Sequence, residues 1–162
     1  MLWRKQKSKL INEEAIVVKN RLLSGISIGV LGLLILLIPV CIFPTCSKVM
    51  EIVGGGTEPM KCFWSGRAEI GIGLLILCGG VLMTFLKSAP VRLGISMMTA
   101  LAGILGILVP SVLIGGCEMN MMTCRMTTFP AVTVISGLAV AAAAANILYL
   151  WAQNKKTVGI GL

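Results

Sequence analysis

Long apolar runs alternate with short polar segments along this chain, and the runs predict its elements. Four of them, at 22–43, 70–86, 93–114 and 130–151, contain no Lys, Arg, Asp or Glu. A helix needs about 20 apolar residues to cross roughly 30 Å of hydrocarbon. Irregular backbone is too costly in lipid to survive there, so each run is predicted to be helical throughout. The predicted fold is all-α and membrane-embedded: four transmembrane helices in two helical hairpins, 22–86 and 92–151. A polar segment (1–21) precedes them and a short tail (152–162) follows. The N-terminal segment mixes Trp3, Leu10 and Ile11 with lysines. That pattern predicts either an amphipathic helix on the inner leaflet or a docking segment for a cytoplasmic partner. A cleaved signal peptide is not expected, because the first apolar run starts late and no small-residue cleavage site follows it.

Composition supports the membrane reading and narrows the chemistry. Of 162 residues, 57% are hydrophobic and 12% charged, where a soluble domain carries about 25% charged. The chain has no His and no Asp; all six acids are Glu. This removes Ser-His-Asp catalysis, His-ligated zinc or haem, and paired-Asp acid–base sites. The triplet Gly54-Gly55-Gly56 lacks the Gly-Lys-Ser/Thr ending of a phosphate loop, so no nucleotide site is expected. With no ionisable residue inside the runs, proton-coupled transport is not expected either.

The net charge of +8 becomes an orientation signal once the basic residues are placed. Arg4, Lys5, Lys7, Lys9, Lys19, Arg21, Lys87, Arg92, Lys155 and Lys156 fall on one side of the predicted membrane, against Glu13 and Glu14. On the other side, Lys48, Lys61, Arg67 and Arg125 are offset by Glu51, Glu58, Glu69 and Glu118. The positive-inside rule then predicts cytoplasmic termini and two extracellular loops in the cell membrane. No basic stripe is interleaved with aromatics, so nucleic acid is not an expected partner.

An internal repeat is also legible. A shift of 71 places Arg21-Leu22 on Arg92-Leu93, Gly32 on Gly103, Pro39 on Pro110 and Cys46 on Cys117, and a shift of 62 places Met60-x-Cys62 on Met122-x-Cys124. Both halves begin on the same side, which predicts parallel repeats about an axis along the membrane normal. Small residues mark expected packing seams: Gly25, Gly29 and Gly32; Ala100, Gly103 and Gly106; and the alanines at 141–145. Asn146, the one strongly polar side chain deep in a run, is expected to make an interhelical hydrogen bond.

The outer loops hold the remaining chemistry. Cys46, Cys62, Cys117 and Cys124 fall there and read first as two disulfides on an oxidising face. The repeat favours Cys46–Cys62 and Cys117–Cys124, one clasp per hairpin, while Cys41 and Cys78 are expected as small apolar core residues. The alternative is a soft-metal site for Cu(I), built from Met119, Met121, Met122, Cys124 and Met126, or a thiol-redox site. Glu69 is expected in the first turn of its helix, complementing the N-terminal dipole, with Arg67 as a possible ion-pair partner. Trp3, Trp64, Tyr149 and Trp151 are expected at the interfaces.

The segment 60–71, Met-Lys-Cys-Phe-Trp-Ser-Gly-Arg-Ala-Glu-Ile-Gly, resembles the signature of a bacterial four-helix membrane family known as domain of unknown function 4418. The stretch 110–117 and Met122-x-Cys124 with Pro130 are similar to its second half. The resemblance covers about 21–151, and the glycine-containing insert at 54–59 departs from it. It implies genes placed beside ABC transporters, hence an accessory role, and it singles out Trp64, Arg67 and Glu69 as partner-binding candidates. The expectation is a non-catalytic accessory subunit of a larger membrane complex, with an ABC transporter permease as partner. It would need no cofactor and would dock through small-residue helix faces while presenting its outer loops. A metal- or thiol-handling protein and an oligomeric channel or exporter are the alternatives.

Overall fold

A computed structural model of the chain describes residues 2–42, 49–52, 56–59, 61–115 and 124–159, with side chains described within 17–42, 61–115 and 125–153. Its helices are α1 (Leu2–Leu37), α2 (Lys61–Phe85), α3 (Ala89–Leu108) and α4 (Phe129–Gly159). Stretches long and apolar enough to cross a membrane run over Val17–Ile42, Lys61–Phe85, Ala89–Leu113 and Arg125–Gln153. The chain is a multi-pass membrane protein of four helices.

The buried positions explain how these helices meet. They fall at Gly73, Ile76, Gly80 and Met83 on α2, at Arg92, Ser96, Thr99, Gly103 and Gly106 on α3, and at Ser136, Ala139, Ala143 and Asn146 on α4. Steps of three and four alternate, a repeat of 3.5 residues that keeps one stripe facing the bundle axis with a left-handed twist. The stripe is rich in Gly, Ser, Thr and Ala, whereas Leu23, Leu75, Phe85, Leu101 and Val112 face outward. In lipid no hydrophobic force draws helices together, so small inward residues and large outward ones are what close packing requires. The main contacts are α1 on α2 and α3 on α4, and lesser α1–α4 and α2–α3 contacts close the ring.

The α1–α2 seam is the tightest. A Cβ added at Gly32 would lie 2.5 Å from the Leu77 nitrogen and 3.0 Å from the Gly73 oxygen, and one at Gly73 would lie 2.7 Å from the Leu36 nitrogen. At Gly80 it would lie 2.6 Å from the Cα of Gly29. These obstacles are backbone, which no rotamer change can move. The expected glycine seams exist, but they are used inside the bundle. Gly103 and Gly106 likewise face Ser136 and Val140 of α4.

Prolines shape the hairpin ends of α1 and α3. π-helical turns at Ile38–Ile42 and Val109–Leu113 follow the α-helices directly. Pro39 and Pro110 each lack an N–H for the i−4 carbonyl and crowd it with their rings, and a wider i→i−5 turn avoids both problems. The second turn closes through Ile114 N–H to the Val109 oxygen at 3.0 Å and ends at Gly115, whose φ of 74° no other described residue but glycine would readily adopt. A third π-helical turn, Cys124–Thr128, precedes α4.

Two sequence expectations change here. The loop between α1 and α2 contains an antiparallel pair, β1 (Val49–Ile52) and β2 (Gly56–Pro59), in register Val49↔Pro59 and Ile52↔Gly56. β-branched residues on either side of a glycine cluster favour this small hairpin. Cys41 and Cys78 are free thiols, as expected, but both are exposed on the outside of the bundle and are not core residues.

The seam makes a direct forecast. Gly80→Ala should destabilise the detergent-solubilised protein by about 1–3 kcal/mol, since overpacking a close seam forces the backbones apart. Gly71→Ala, at a position with nothing within 4 Å, should be nearly neutral. Equal thermal shifts for the two variants would contradict the packing described.

Candidate functional site

The sequence run containing Trp64, Arg67 and Glu69 forms the first three turns of α2, and the heptad stripe divides it between two environments. Cys62, Ser65, Gly66 and Glu69 point inward, while Trp64 and Arg67 point outward. Trp64 is 58% exposed and meets Phe63 edge to face, with ring centroids 5.8 Å apart. The Arg67 guanidinium sits over the Phe63 ring, 5.6 Å from its centroid. A cation over an aromatic face is held by the ring quadrupole, so this exposed edge is ordered by its own side chains.

Glu69 does not do what the sequence led one to expect. α2 begins at Lys61 and has no acid in its first turn, so Glu69 lies beyond the helix terminus, two turns in. Its side chain is 2% exposed and faces away from Arg67. The expectation failed because the span was cut at the last charged residue, although the helix continues through it. Arg92 was excluded from its span in the same way and is also buried, at 2% exposure. The bundle therefore does contain ionisable side chains.

Glu69 has small neighbours. A Cβ at Gly106 of α3 would lie 3.5 Å from Glu69 Oε2 and 2.7 Å from the Ser136 hydroxyl of α4. Both Glu69 oxygens and the hydroxyls of Ser65 and Ser136 are buried without a hydrogen-bond partner. Three helices thus meet at a buried polar cluster whose groups are a carboxyl and two hydroxyls. Ser65 and Ser136 were not singled out from sequence, and Gly106 was read only as part of a packing seam; the signal was the 3.5-residue spacing of small residues, which places each on an inward stripe.

Deeper along the bundle, Asn146 forms the expected interhelical bond. Its Nδ2 donates to the Ser96 hydroxyl at 2.8 Å and approaches the Met83 sulfur at 3.9 Å, joining α4 to α3 and α2. At the hairpin end of α3 and α4, a groove of about 390 Å³ is lined by Pro110, Ser111, Arg125, Phe129, Pro130, Thr133 and Val134.

Cys62 is fully buried and disulfide-bonded. Cys46 and Cys117 lie outside the described residues, as do Met119, Met121 and Met122; Cys124 is described for its backbone only, and Met126 is 67% exposed. Among the described residues no group of three or more His, Cys, Asp or Glu could hold a metal.

A family model described as a domain of unknown function (DUF4418) matches residues 28–149. The chain belongs to that family. Neither a curated protein nor a solved structure matches it. The DUF4418 match takes in the Trp64–Arg67 edge, the Glu69 cluster, Arg92 and Asn146, and leaves Arg21 just before it.

The cluster predicts a coupled pair of effects. Gly106→Ala should destabilise the protein in detergent by about 1–3 kcal/mol, because its Cβ overlaps the Ser136 hydroxyl. Ser136→Ala should relieve much of that loss in the double variant, giving a clear interaction energy in a double-mutant cycle. Simple additivity would contradict the geometry.

Proposed function

We propose that this protein is a non-catalytic accessory subunit of a larger membrane complex, with a bacterial ABC transporter permease as its partner. It lies in the cell membrane with both termini cytoplasmic and its hairpins outside. The observation that carries this reading is the Trp64–Arg67 edge: an exposed aromatic beside an exposed, ring-held cation at the hairpin end of α2. Trp and Arg are the residues that most often anchor interfaces.

The docking face differs from the one first expected. Because Gly25, Gly32, Gly73, Gly80, Gly103 and Gly106 are occupied inside the bundle, they are not offered to a partner. Small residues that do face outward include Gly71 on α2, Gly94 on α3, and Ala141, Ala144 and Ala145 on α4. These let a partner helix approach closely, and the Trp64–Arg67 edge sets its position.

The two-repeat architecture belongs to the same proposal. Buried positions recur 71 residues apart in α1 and α3, as at Gly25 and Ser96, Gly32 and Gly103, and Ile35 and Gly106, and the two proline π turns are also 71 apart. Between α2 and α4 buried positions recur at 63, as at Gly73 and Ser136 or Met83 and Asn146, although Cys62 and Cys124 are separated by 62. The π-helical turn Cys124–Thr128 lies between these two offsets, and a π turn accommodates one added residue. The clasps Cys46–Cys62 and Cys117–Cys124 fit this plan. Val49 pairs with Pro59, three residues in sequence from Cys46 and from Cys62 respectively, which supports the first clasp.

Gentle extraction from native membranes should recover the chain with larger membrane subunits. Trp64→Ala and Arg67→Ala, both at exposed positions, should reduce that recovery at least severalfold while membrane levels of the chain stay unchanged. Recovery of the wild-type chain alone, or undiminished complexes in both variants, would contradict the reading. Stoichiometric Cu(I) on the isolated chain would favour the metal alternative.

A further inference from the structure

The end of the bundle that carries both chain termini holds a second polar cluster, a basic one. Arg92, in the first turn of α3, is 2% exposed, and its Nε and Nη2 are buried without a hydrogen-bond partner. On α1, half-buried Arg21 has its Nε in the same condition. The surrounding hydrogen bonds fix the helices and do not neutralise the charge. The Ser96 hydroxyl donates to the Arg92 carbonyl at 2.8 Å and receives the bond from Asn146 Nδ2, while Asn146 Oδ1 is left buried without a partner. Among the described residues, Arg21 and the Tyr149 phenol lie near enough to act electrostatically on Arg92.

Among the described side chains the only carboxylate is Glu69. It faces Gly106, fourteen residues along α3 from Arg92, or about 20 Å at 1.5 Å per residue. A buried cation with no counter-charge is strongly unfavourable, and two neighbouring ones are worse. A guanidinium offers a planar fork of donors that matches phosphate oxygens bidentately. The α3 N-terminus adds to the same field: Ser88, its N-cap, makes no side-chain capping bond, and exposed Lys87 lies beside it. Basic pockets between helices at one membrane surface are suited to anionic lipid headgroups.

We propose that Arg21 and Arg92 form a binding site for a phosphate group at the terminal end of the bundle. The phosphate comes from an anionic phospholipid headgroup or from a soluble phosphate, and either source satisfies the buried Nε and Nη2 donors. Bound there, it ties α1 to α3 across the bundle, a diagonal that glycine packing does not cover.

The test uses the full-length protein in detergent, followed by native mass spectrometry and thermal unfolding. The probes are phosphatidylglycerol, phosphatidylcholine, and inorganic phosphate against chloride at equal ionic strength. Wild type should retain phosphatidylglycerol over phosphatidylcholine by about tenfold or more, as expected for charge-assisted bonds. R21Q and R92Q should lose that preference, and R92K, which keeps the charge without the fork, should fall between. If inorganic phosphate alone protects against unfolding, with the same dependence on the two arginines, the source is soluble. R21Q changes a half-exposed residue, so it remains informative if R92Q fails to fold. Lipid preference and phosphate protection that are absent in wild type, or unchanged in R21Q and in folded R92Q, would overturn the site.

Discussion

Two helix backbones in direct contact set the terms for the rest of this molecule. Where α1 crosses α2, Gly25, Gly32, Gly73 and Gly80 let main chain approach main chain so closely that a single added methyl would meet backbone atoms. In lipid, association depends on such packing because apolar side chains gain nothing by leaving the hydrocarbon. The seam fixes the 3.5-residue stripe on each helix, and the stripe decides what each side chain does. Small residues go inward and large apolar ones stay against lipid. A polar residue that falls on the stripe becomes an interior group whatever its charge.

That last consequence gives the bundle its chemistry. Glu69 lies on the inward stripe of α2 near the hairpin end, Arg92 on that of α3 near the terminal end, and Asn146 on that of α4 between them. Small neighbours make room for two of them: Gly106, Ser65 and Ser136 around the carboxyl, and Ser96 beside the asparagine. Glu69 and Arg92 lie too far apart to pair, so each end of the bundle has its own polar requirement. On the outside of the same helix, one residue away from the stripe, Trp64 and Arg67 project beyond the bundle. One short sequence run therefore supplies both an interior polar group and an exposed aromatic–cation edge.

Much of the fold was legible because long charge-free runs leave a helix as the only option in lipid. Asn146 was legible for a related reason: an amide deep in hydrocarbon must find a partner, and Ser96 supplies it. Glu69 and Arg92 were misplaced because a span delimited by its apolar run stops at the first charge, whereas a helix ends only where its backbone hydrogen bonds do. The glycine seams were visible, but composition does not say whether a small face meets its own chain or another. The π-helical turn before α4 was hidden because nothing in the residue types announces one. Cys41 and Cys78 were read as core residues from chemistry alone, when their position relative to the stripe was the deciding fact.

The central claim is that the outer edge of α2 at the hairpin end is a contact surface for another membrane protein. Photoreactive side chains introduced one at a time at positions 64 and 101, irradiated in native membranes, test this most directly. Trp64 lies on the proposed edge, while Leu101 faces outward on α3 at 58% exposure and serves as the lipid-facing control. Position 64 is expected to trap a membrane subunit larger than this 17.1 kDa chain, and position 101 to label lipid alone. Lipid adducts alone at both positions would contradict the claim, as would adducts at position 64 that join only two copies of this chain.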